Sequence, residues 1–130
     1  MTKFAPALAL PLVVALVSGC GMYSSNVRLG NQQSLASLHD QHEAALTVLL
    51  YPSVPAGAVV LGPIDAARCH RFSNRTPPTN DMVLADLKIA AYAQGANGIT
   101  NVRIVKKSGL TSNCWHILDG RATALRVPRS

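Results

Sequence analysis

Residues 80–95, which read Asn-Asp-Met-Val-Leu-Ala-Asp-Leu-Lys-Ile-Ala-Ala-Tyr-Ala-Gln-Gly, carry the clearest structural signal in this sequence. Apolar residues recur along the stretch at intervals of three and four, which places them on one face of a helix. They are Val83, Leu84, Leu87, Ala90 and Ala91. Thr79 or Asn80 can cap the start, and Gly95 offers a left-handed stop after Gln94. The pattern predicts one main helix whose apolar face needs a sheet to cover it.

The strand that follows this helix has the next clearest pattern. After a tight turn at residues 95–98, residues 99–105 alternate apolar and polar side chains, which is typical of a half-buried strand. Further strands are predicted at 46–51, 58–61 and 115–126. The last of these carries Asp119-Gly120, which predicts a bulge or turn within it.

The remaining segments are shorter or less regular. Residues 34–43 predict a short helix with Ser34 as its cap, and residues 64–80 read mostly as loop. The order strand, strand, helix, strand, strand predicts the α+β class. We expect a small single sheet of about four strands, with one main helix packed on one face.

The beginning of the chain predicts export and lipidation. Lys3 precedes the apolar run 4–17, which is too short to span a membrane. Leu16-Val17-Ser18-Gly19-Cys20 then resembles the lipobox of bacterial lipoproteins, in which the cysteine is acylated and the chain is cut just before it. We therefore expect a lipoprotein signal peptide over residues 1–19 and an acyl anchor, including palmitate, on Cys20.

Composition divides the mature chain into a tether and a domain. Residues 21–34 are mainly Ser, Asn, Gln and Gly with few large apolar groups, so they cannot bury enough surface to offset their ordering entropy. We expect a lipid-anchored tether over residues 20–45 and a folded domain over residues 46–130.

The charge balance restricts the class of partner. The full sequence has 12 Lys and Arg against 6 Asp and Glu, a formal charge of +6. Removal of residues 1–19 takes away only Lys3, which leaves +5 (11 − 6). Outside the cytoplasm such a surface would meet anionic lipid or acidic proteins. Because aromatic residues are few and basic residues are scattered, we expect no nucleic-acid partner.

The cysteines allow two interpretations. Cys20 is used by the lipid, and Cys69 and Cys114 remain as an even pair in an oxidising compartment, which predicts one disulfide. The alternative is a structural zinc site, for which Cys69, His70, Cys114 and His116 would supply two Cys and two His. Neighbouring side chains on a strand point to opposite faces, which disfavours a shared site. We expect the disulfide and no cofactor.

Catalytic patterns are weak. The serines lack a His and a carboxylate at a spacing typical of nucleophilic catalysis, and the two remaining thiols are expected to be oxidised. His39 and His42 share a face of the short helix and could chelate a metal only with further ligands. A solvated polar face is the simpler interpretation, and we expect no enzyme.

Five basic residues are candidates for contact with a partner. Arg68, Arg71, Arg75, Lys106 and Lys107 lie in predicted loops at either end of the expected disulfide, so the bridge would gather them into one region. Such a region suits an acidic partner domain or anionic lipid headgroups. The alternative is a set of scattered solubilising charges.

Five short motifs occur in a fixed order between residues 61 and 127. They are Leu61-Gly62-Pro63-Ile64, Pro77-Pro78, Gly95-Ala96-Asn97-Gly98, Cys114-Trp115 and Ala122-Thr123-Ala124-Leu125. Their order and spacing resemble the C-terminal domain of the RcsF family, outer-membrane lipoproteins that sense envelope stress in enterobacteria.

The sequence matches one structural feature of the family and departs from it in two. The family is held by two disulfides, and Cys69 and Cys114 fall at the positions of one of them. By spacing, Ile104 and Gly120 stand at the positions of the other. The long Pro-rich linker that the family threads through an outer-membrane β-barrel is absent, because only about 25 residues separate Cys20 from the first predicted strand.

These features imply a function in the cell envelope. We expect a protein anchored to the outer membrane that faces the periplasm or the surface and acts in envelope stress sensing or phosphorelay signalling through protein contacts. Implied partners are outer-membrane lipid through Cys20, and an outer-membrane barrel or an inner-membrane signalling regulator. Two alternatives stay open: a structural or assembly lipoprotein without signalling, and an envelope protein that binds metal through the Cys/His set.

Overall fold

The computed structural model of the chain describes residues 26–29 and 36–129. Cys20 and the predicted signal peptide lie outside the described residues. The elements are β1 (Asn26–Leu29), α1 (Leu38–Thr47), β2 (Leu49–Leu50), β3 (Val59–His70), α2 (Asn80–Ala93), β4 (Gly98–Ser108), a 3-10 turn (Leu110–Ser112) and β5 (His116–Arg126).

All five strands belong to one mixed sheet in the order β1-β3-β5-β4-β2. The neighbours β1 and β3, β3 and β5, and β5 and β4 are antiparallel, whereas β2 runs parallel to β4. This arrangement confirms the predicted α+β fold, with one strand more than the four expected. The extra strand is β1, whose four residues pair with the end of β3.

The main helix lies where the sequence predicts it. The Thr79 hydroxyl accepts a hydrogen bond from the backbone N–H of Met82 at 3.3 Å, which satisfies one free donor of the first turn. After Gln94, Gly95 adopts a φ of +78°, a left-handed conformation that glycine adopts without steric cost. α2 therefore begins and ends at the positions that its local sequence favours.

α2 packs on one face of the sheet and forms the main core with it. The face contributes small and aliphatic side chains from β3, β4 and β5, and Val48 closes the core beside α1. The buried members are Val48, Ile64, Ala66, Val83, Leu87, Ala90, Ala91, Ala96, Ile99, Leu118, Ala122 and Ala124. Burial of this apolar surface is the main term that stabilises the domain.

A second, smaller apolar cluster lies on the opposite face of the sheet. Cys69, Cys114 and Ile117 are buried in it. Val27, Leu29 and Ala67 pack against them. Since successive side chains on a strand point to opposite faces, Cys69 faces away from α2 while its neighbour Arg68 faces toward it. The disulfide thus belongs to the face that α2 does not cover.

The prediction of a loop over residues 64–80 is wrong for its first seven residues. β3 runs from Val59 to His70, twelve residues, and pairs with β5 up to its last residue. A change of register between Val60 and Gly62 lets the strand continue past Pro63, which faces solvent. Arg68, Cys69 and His70 carry little strand propensity, so only their pairing with β5 reveals the strand.

The predicted tether also contains regular structure. Within residues 20–45, β1 pairs with β3 and most of α1 packs against α2. α1 starts later than expected, because Ser37 rather than Ser34 is its cap and accepts a bond from the N–H of Asp40 at 3.0 Å. A four-residue strand and a polar helix depend on tertiary partners that composition does not reveal.

Two strand predictions need correction as well. The strand predicted at 46–51 is reduced to Leu49–Leu50, because α1 continues to Thr47. β5 passes through Asp119-Gly120 without a break. Gly120 is required there by packing, since a Cβ at this position would lie 2.4 Å from a methyl group of Val83. The irregularity lies instead in β4, where Asn101 has a φ of +54° and the register with β5 shifts.

No helix within residues 26–29 and 36–129 is long and apolar enough to cross a membrane.

Candidate functional site

One end of the sheet gathers most of the residues that the sequence singles out. Asn26, His70, His116 and Ser108 lie side by side there, at the start of β1, the end of β3, the start of β5 and the end of β4. The connections 71–79 and 109–115 both lie at this end. We call this region, with its two connections, the disulfide end.

Cys69 and Cys114 are joined by a disulfide at this end, as predicted. Their Cα atoms are 5.5 Å apart, and the residues are 0% and 3% exposed. The bridge ties the end of β3 to the connection that leads into β5. The Trp115 N–H also donates to the carbonyl of His70 at 2.7 Å, so the connection is fixed beside β3 by a second link.

Arg71 lies directly beside the bridge. Its Nε is buried and has no hydrogen-bond partner among the described residues. With Leu110, Asn113, Cys114 and Trp115 it lines an open cavity of about 230 Å³. Leu110 is 79% exposed and Trp115 is 63% exposed. A partly buried arginine whose Nε lacks an acceptor therefore adjoins two large apolar side chains that face solvent.

Three other predicted basic residues also lie at or near the disulfide end. Arg75 is exposed in the connection 71–79, and Lys106 and Lys107 are exposed near the end of β4. The Nζ of Lys107 contacts a carboxylate oxygen of Asp119 at 3.0 Å, across the open face of the sheet. An ion pair this exposed contributes little to stability and leaves the lysine accessible.

Arg68 has a different environment from the one predicted. Its side chain lies between β3 and α2 rather than in a solvated loop and is 14% exposed. Nε donates to Oδ2 of Asp86 at 2.6 Å, and Nη2 donates to Oδ1 at 3.0 Å. This bidentate geometry uses both carboxylate oxygens. Arg68 thus serves an internal ion pair. The basic group at the disulfide end consists of the other four residues, of which Arg71 is partly buried and Arg75, Lys106 and Lys107 are exposed.

Asp86 is shared by a second arginine. Arg28 of β1 donates from Nε to Oδ1 of Asp86 at 2.8 Å and from Nη2 to the side-chain oxygen of Gln41 at 3.3 Å. Asp86 is 1% exposed, so two guanidiniums compensate one buried carboxylate. The network links β1, α1, α2 and β3, and it explains how the polar helix α1 is held against α2.

His70 and His116 are cross-strand partners at the disulfide end of the sheet. Their ring centroids are 5.0 Å apart. Burial, together with the positive charges of Lys106 and of His70 when protonated, lowers the pKa of His116. The pair is held close by strand register.

The alternative zinc site would use Cys69, His70, Cys114 and His116. In this structure the sulfurs of Cys69 and Cys114 are bonded to each other, whereas zinc takes free thiolates. Across residues 26–29 and 36–129, no group of three or more His, Cys, Asp or Glu side chains is arranged to hold a metal ion. His39 and His42 are both exposed on α1.

An exposed apolar surface lies at the opposite end of the sheet. Leu46, Leu49 and Leu50 are 54–65% exposed around the edge strand β2. A shallow groove of about 740 Å³ lies nearby, between the end of α2 and residues 126–129. This surface is distinct from the disulfide end, about the length of β3 away.

Comparisons with known proteins give no family assignment: no protein-family model matches the chain, and no curated protein does.

Sequence reasoning missed the Asp86 network and the apolar pair at the disulfide end. Asp86 follows Val83 by three residues and precedes Ala90 by four, so it borders the apolar stripe of α2. A carboxylate at that position signals a buried cation partner. No sequence pattern predicted that Trp115 and Leu110 would be exposed, because their exposure depends on how the connection 109–115 folds back.

Proposed function

We propose that this chain is a lipid-anchored envelope protein of the RcsF type, whose α+β domain senses or relays the state of the envelope through contacts with other envelope proteins. Acylation of Cys20 holds it in the outer membrane, and the domain faces the periplasm or the surface. Its role is non-catalytic. The partners are an outer-membrane barrel or an inner-membrane regulator of a phosphorelay.

The Cys69–Cys114 bridge is the observation that carries the proposal. The two sulfurs are buried within one apolar cluster and link β3 to the connection before β5. Stable disulfides belong to oxidising compartments, and small exported domains use them to supplement a limited core. The bridge therefore supports the export that the lipobox predicts.

A second observation favours the RcsF resemblance in particular. Ile104 and Gly120, which stand at the positions of the family's other disulfide, are direct partners across β4 and β5. Cross-strand partners lie roughly 4.5–5.5 Å apart between Cα atoms, within the range that a disulfide spans. Here the space beside Gly120 is filled by Val83. The spacing argument made from the sequence is thus consistent with the register of the sheet.

The anchor is tested by labelling. Cells that express the chain are grown with radioactive palmitate, and their membranes are separated by density. We expect label in the wild-type protein of the outer-membrane fraction, which stays with the membrane after a high-salt wash. For Cys20→Ala we expect no label and release by the same wash. A Cys20→Ala protein that carries no label and still resists the high-salt wash would contradict the proposal.

The signalling role is tested separately, in cells that carry a phosphorelay reporter. The chain is overproduced as wild type and as Cys69→Ser, which removes the bridge but not the anchor. We expect reporter induction by the wild type and a partner recovered from crosslinked membranes. If the reporter stays silent while deletion of the gene weakens the outer membrane, the structural or assembly alternative is correct.

A further inference from the structure

We propose that the disulfide end docks on anionic phospholipid, with Trp115 and Leu110 at the boundary between headgroups and acyl chains. Arg71, Arg75 and Lys106 would contact the lipid phosphates. This inference rests on the proposed acylation of Cys20 and specifies how the domain lies on the membrane that holds it. It also assigns the predicted basic region to lipid rather than to an acidic protein.

The length of chain before β1 limits where the domain can lie. Cys20 precedes Asn26 by six residues, which span at most about 20 Å even when fully extended. Asn26 pairs with His70 in the last row of the sheet, so the chain enters the fold at the disulfide end. An acylated Cys20 therefore keeps this end within about 20 Å of the lipid, whichever way the domain turns.

The opposite end has no such constraint. β3 alone is twelve residues long, which corresponds to about 40 Å of strand. The exposed leucines Leu49 and Leu50 of β2 lie at the far end of the sheet. Of these two apolar surfaces in the described part of the chain, the one with Trp115 and Leu110 is held near the membrane by the chain itself.

The side chains at the disulfide end suit a lipid interface. Trp115 is 63% exposed and Leu110 is 79% exposed, and both line the cavity beside Arg71. Tryptophan prefers the boundary between headgroups and acyl chains, because its ring is apolar while its N–H seeks a polar partner. The membrane interface within reach of this end would accommodate both of these exposed side chains.

The charges at this end are complementary to phosphate. Residues 71–80 and 106–118 contain no Asp or Glu, and they carry Arg71, Arg75 and two lysines. Arg71 is partly exposed beside the cavity, and its guanidinium would donate to a phosphate oxygen. Basic side chains near an anionic surface each favour binding by roughly fivefold. Apolar anchors surrounded by such charges are typical of a surface that docks on anionic membranes.

Trp115 provides the readout, because it is the only tryptophan in the chain. The acylated mature protein is reconstituted into vesicles of phosphatidylethanolamine and phosphatidylglycerol whose acyl chains are brominated. Bromine quenches tryptophan fluorescence only on contact. We expect strong quenching of Trp115 and weaker quenching when phosphatidylcholine replaces both lipids. Unquenched Trp115 in protein that floats with the vesicles would overturn the proposal.

Matched variants test the role of charge. Arg75→Ala combined with Lys106→Ala removes two exposed basic groups at the disulfide end, and Arg126→Ala combined with Arg129→Ala removes two at the opposite end. For the unacylated Cys20→Ala mature chain added to anionic vesicles, the first pair should lower partitioning by roughly 25-fold, and the second pair should have little effect. Equal effects of both pairs would overturn the proposal.

The unacylated chain also separates this inference from the anchor. If palmitate labelling fails while Trp115 of the unacylated chain is still quenched by anionic vesicles, docking stands and the anchor does not. If labelling succeeds but neither form is quenched, docking is wrong. Crosslinks from position 115 to a protein, together with unquenched Trp115, would assign the disulfide end to an acidic protein partner instead.

Discussion

Arg68 and Asp86 form a bidentate ion pair, with distances of 2.6 and 3.0 Å, that joins β3 to α2 beside the main core. Arg28 of β1 contacts the same carboxylate, so one acid on the main helix holds two strands. A lone buried charge is costly, and two hydrogen-bonded partners offset much of that cost. The Arg28–Asp86 contact, together with backbone pairing to β3, holds the edge strand β1 in the sheet.

The first prediction concerns this carboxylate. Asp86→Asn removes the charge that two guanidiniums share and should lower the free energy of unfolding by roughly 2–4 kcal/mol. The loss stays below that of a fully enclosed pair because the Arg28 side chain is 25% exposed. Urea unfolding followed by circular dichroism measures it. Asp81→Asn, an exposed acid in the first turn of the same helix, is the control and should cost no more than about 1 kcal/mol.

The second prediction concerns the disulfide. Cys69 and Cys114 are 45 residues apart in sequence, and closing a loop of that size should stabilise the folded state by roughly 4 kcal/mol, less any strain. Reduction should therefore bring the domain near unfolding at growth temperature, since small domains have about 5–10 kcal/mol in total. Cys69→Ser and Cys114→Ser should lower abundance equally. The intact mass before and after reduction and alkylation shows whether the bridge is present. Two free thiols in freshly isolated protein would refute the prediction.

The third prediction tests the contact between Gly120 and α2. A Cβ at position 120 would lie 2.4 Å from a methyl group of Val83, and Val83 is fully buried. Gly120→Ala should therefore destabilise the domain by about 1–3 kcal/mol through overpacking.

A double-mutant cycle distinguishes this contact from a general effect of strand residues. Val83→Ala removes the clashing methyl group, so the combined variant should lose less stability than the sum of the two single variants. A simple sum would show that Gly120 is required for another reason.

The fourth prediction concerns acid sensitivity. In the folded state the pKa of His116 lies below its ordinary value of 6.5, because of burial and then of the charges of Lys106 and His70. Between the two pKa values the unfolded chain therefore binds more protons than the folded one. The contribution of His116 to the free energy of unfolding is therefore fully present above pH 6.5. It is lost as the pH falls from 6.5 through the folded-state pKa.

This prediction is checked by unfolding curves at neutral and mildly acidic pH and by an NMR titration of His116. His116→Gln should flatten the pH dependence in this range, and Lys106→Ala should raise the pKa of His116. A titration of His116 at or above the ordinary value would contradict the prediction.

Local signals sufficed for several parts of the molecule. The apolar stripe, the cap at Thr79 and the stop at Gly95 define α2 within a single stretch of sequence, because each acts between residues a few positions apart. The alternation after Gly98 defines β4 for the same reason. The bridge between Cys69 and Cys114 followed from the even pair and the expected compartment, and it needed no knowledge of distance.

The other features depend on contacts between distant parts of the chain. Arg68 and His70 belong to β3 because β5 pairs with them, and β1 joins the sheet because β3 and Asp86 lie beside it. These contacts link residues far apart in sequence, so no local pattern encodes them. The same long-range pairing places Arg68 in the interior and leaves Trp115 exposed beside Arg71, whereas at this end of the sheet the local sequence predicted no more than basic residues on either side of a disulfide.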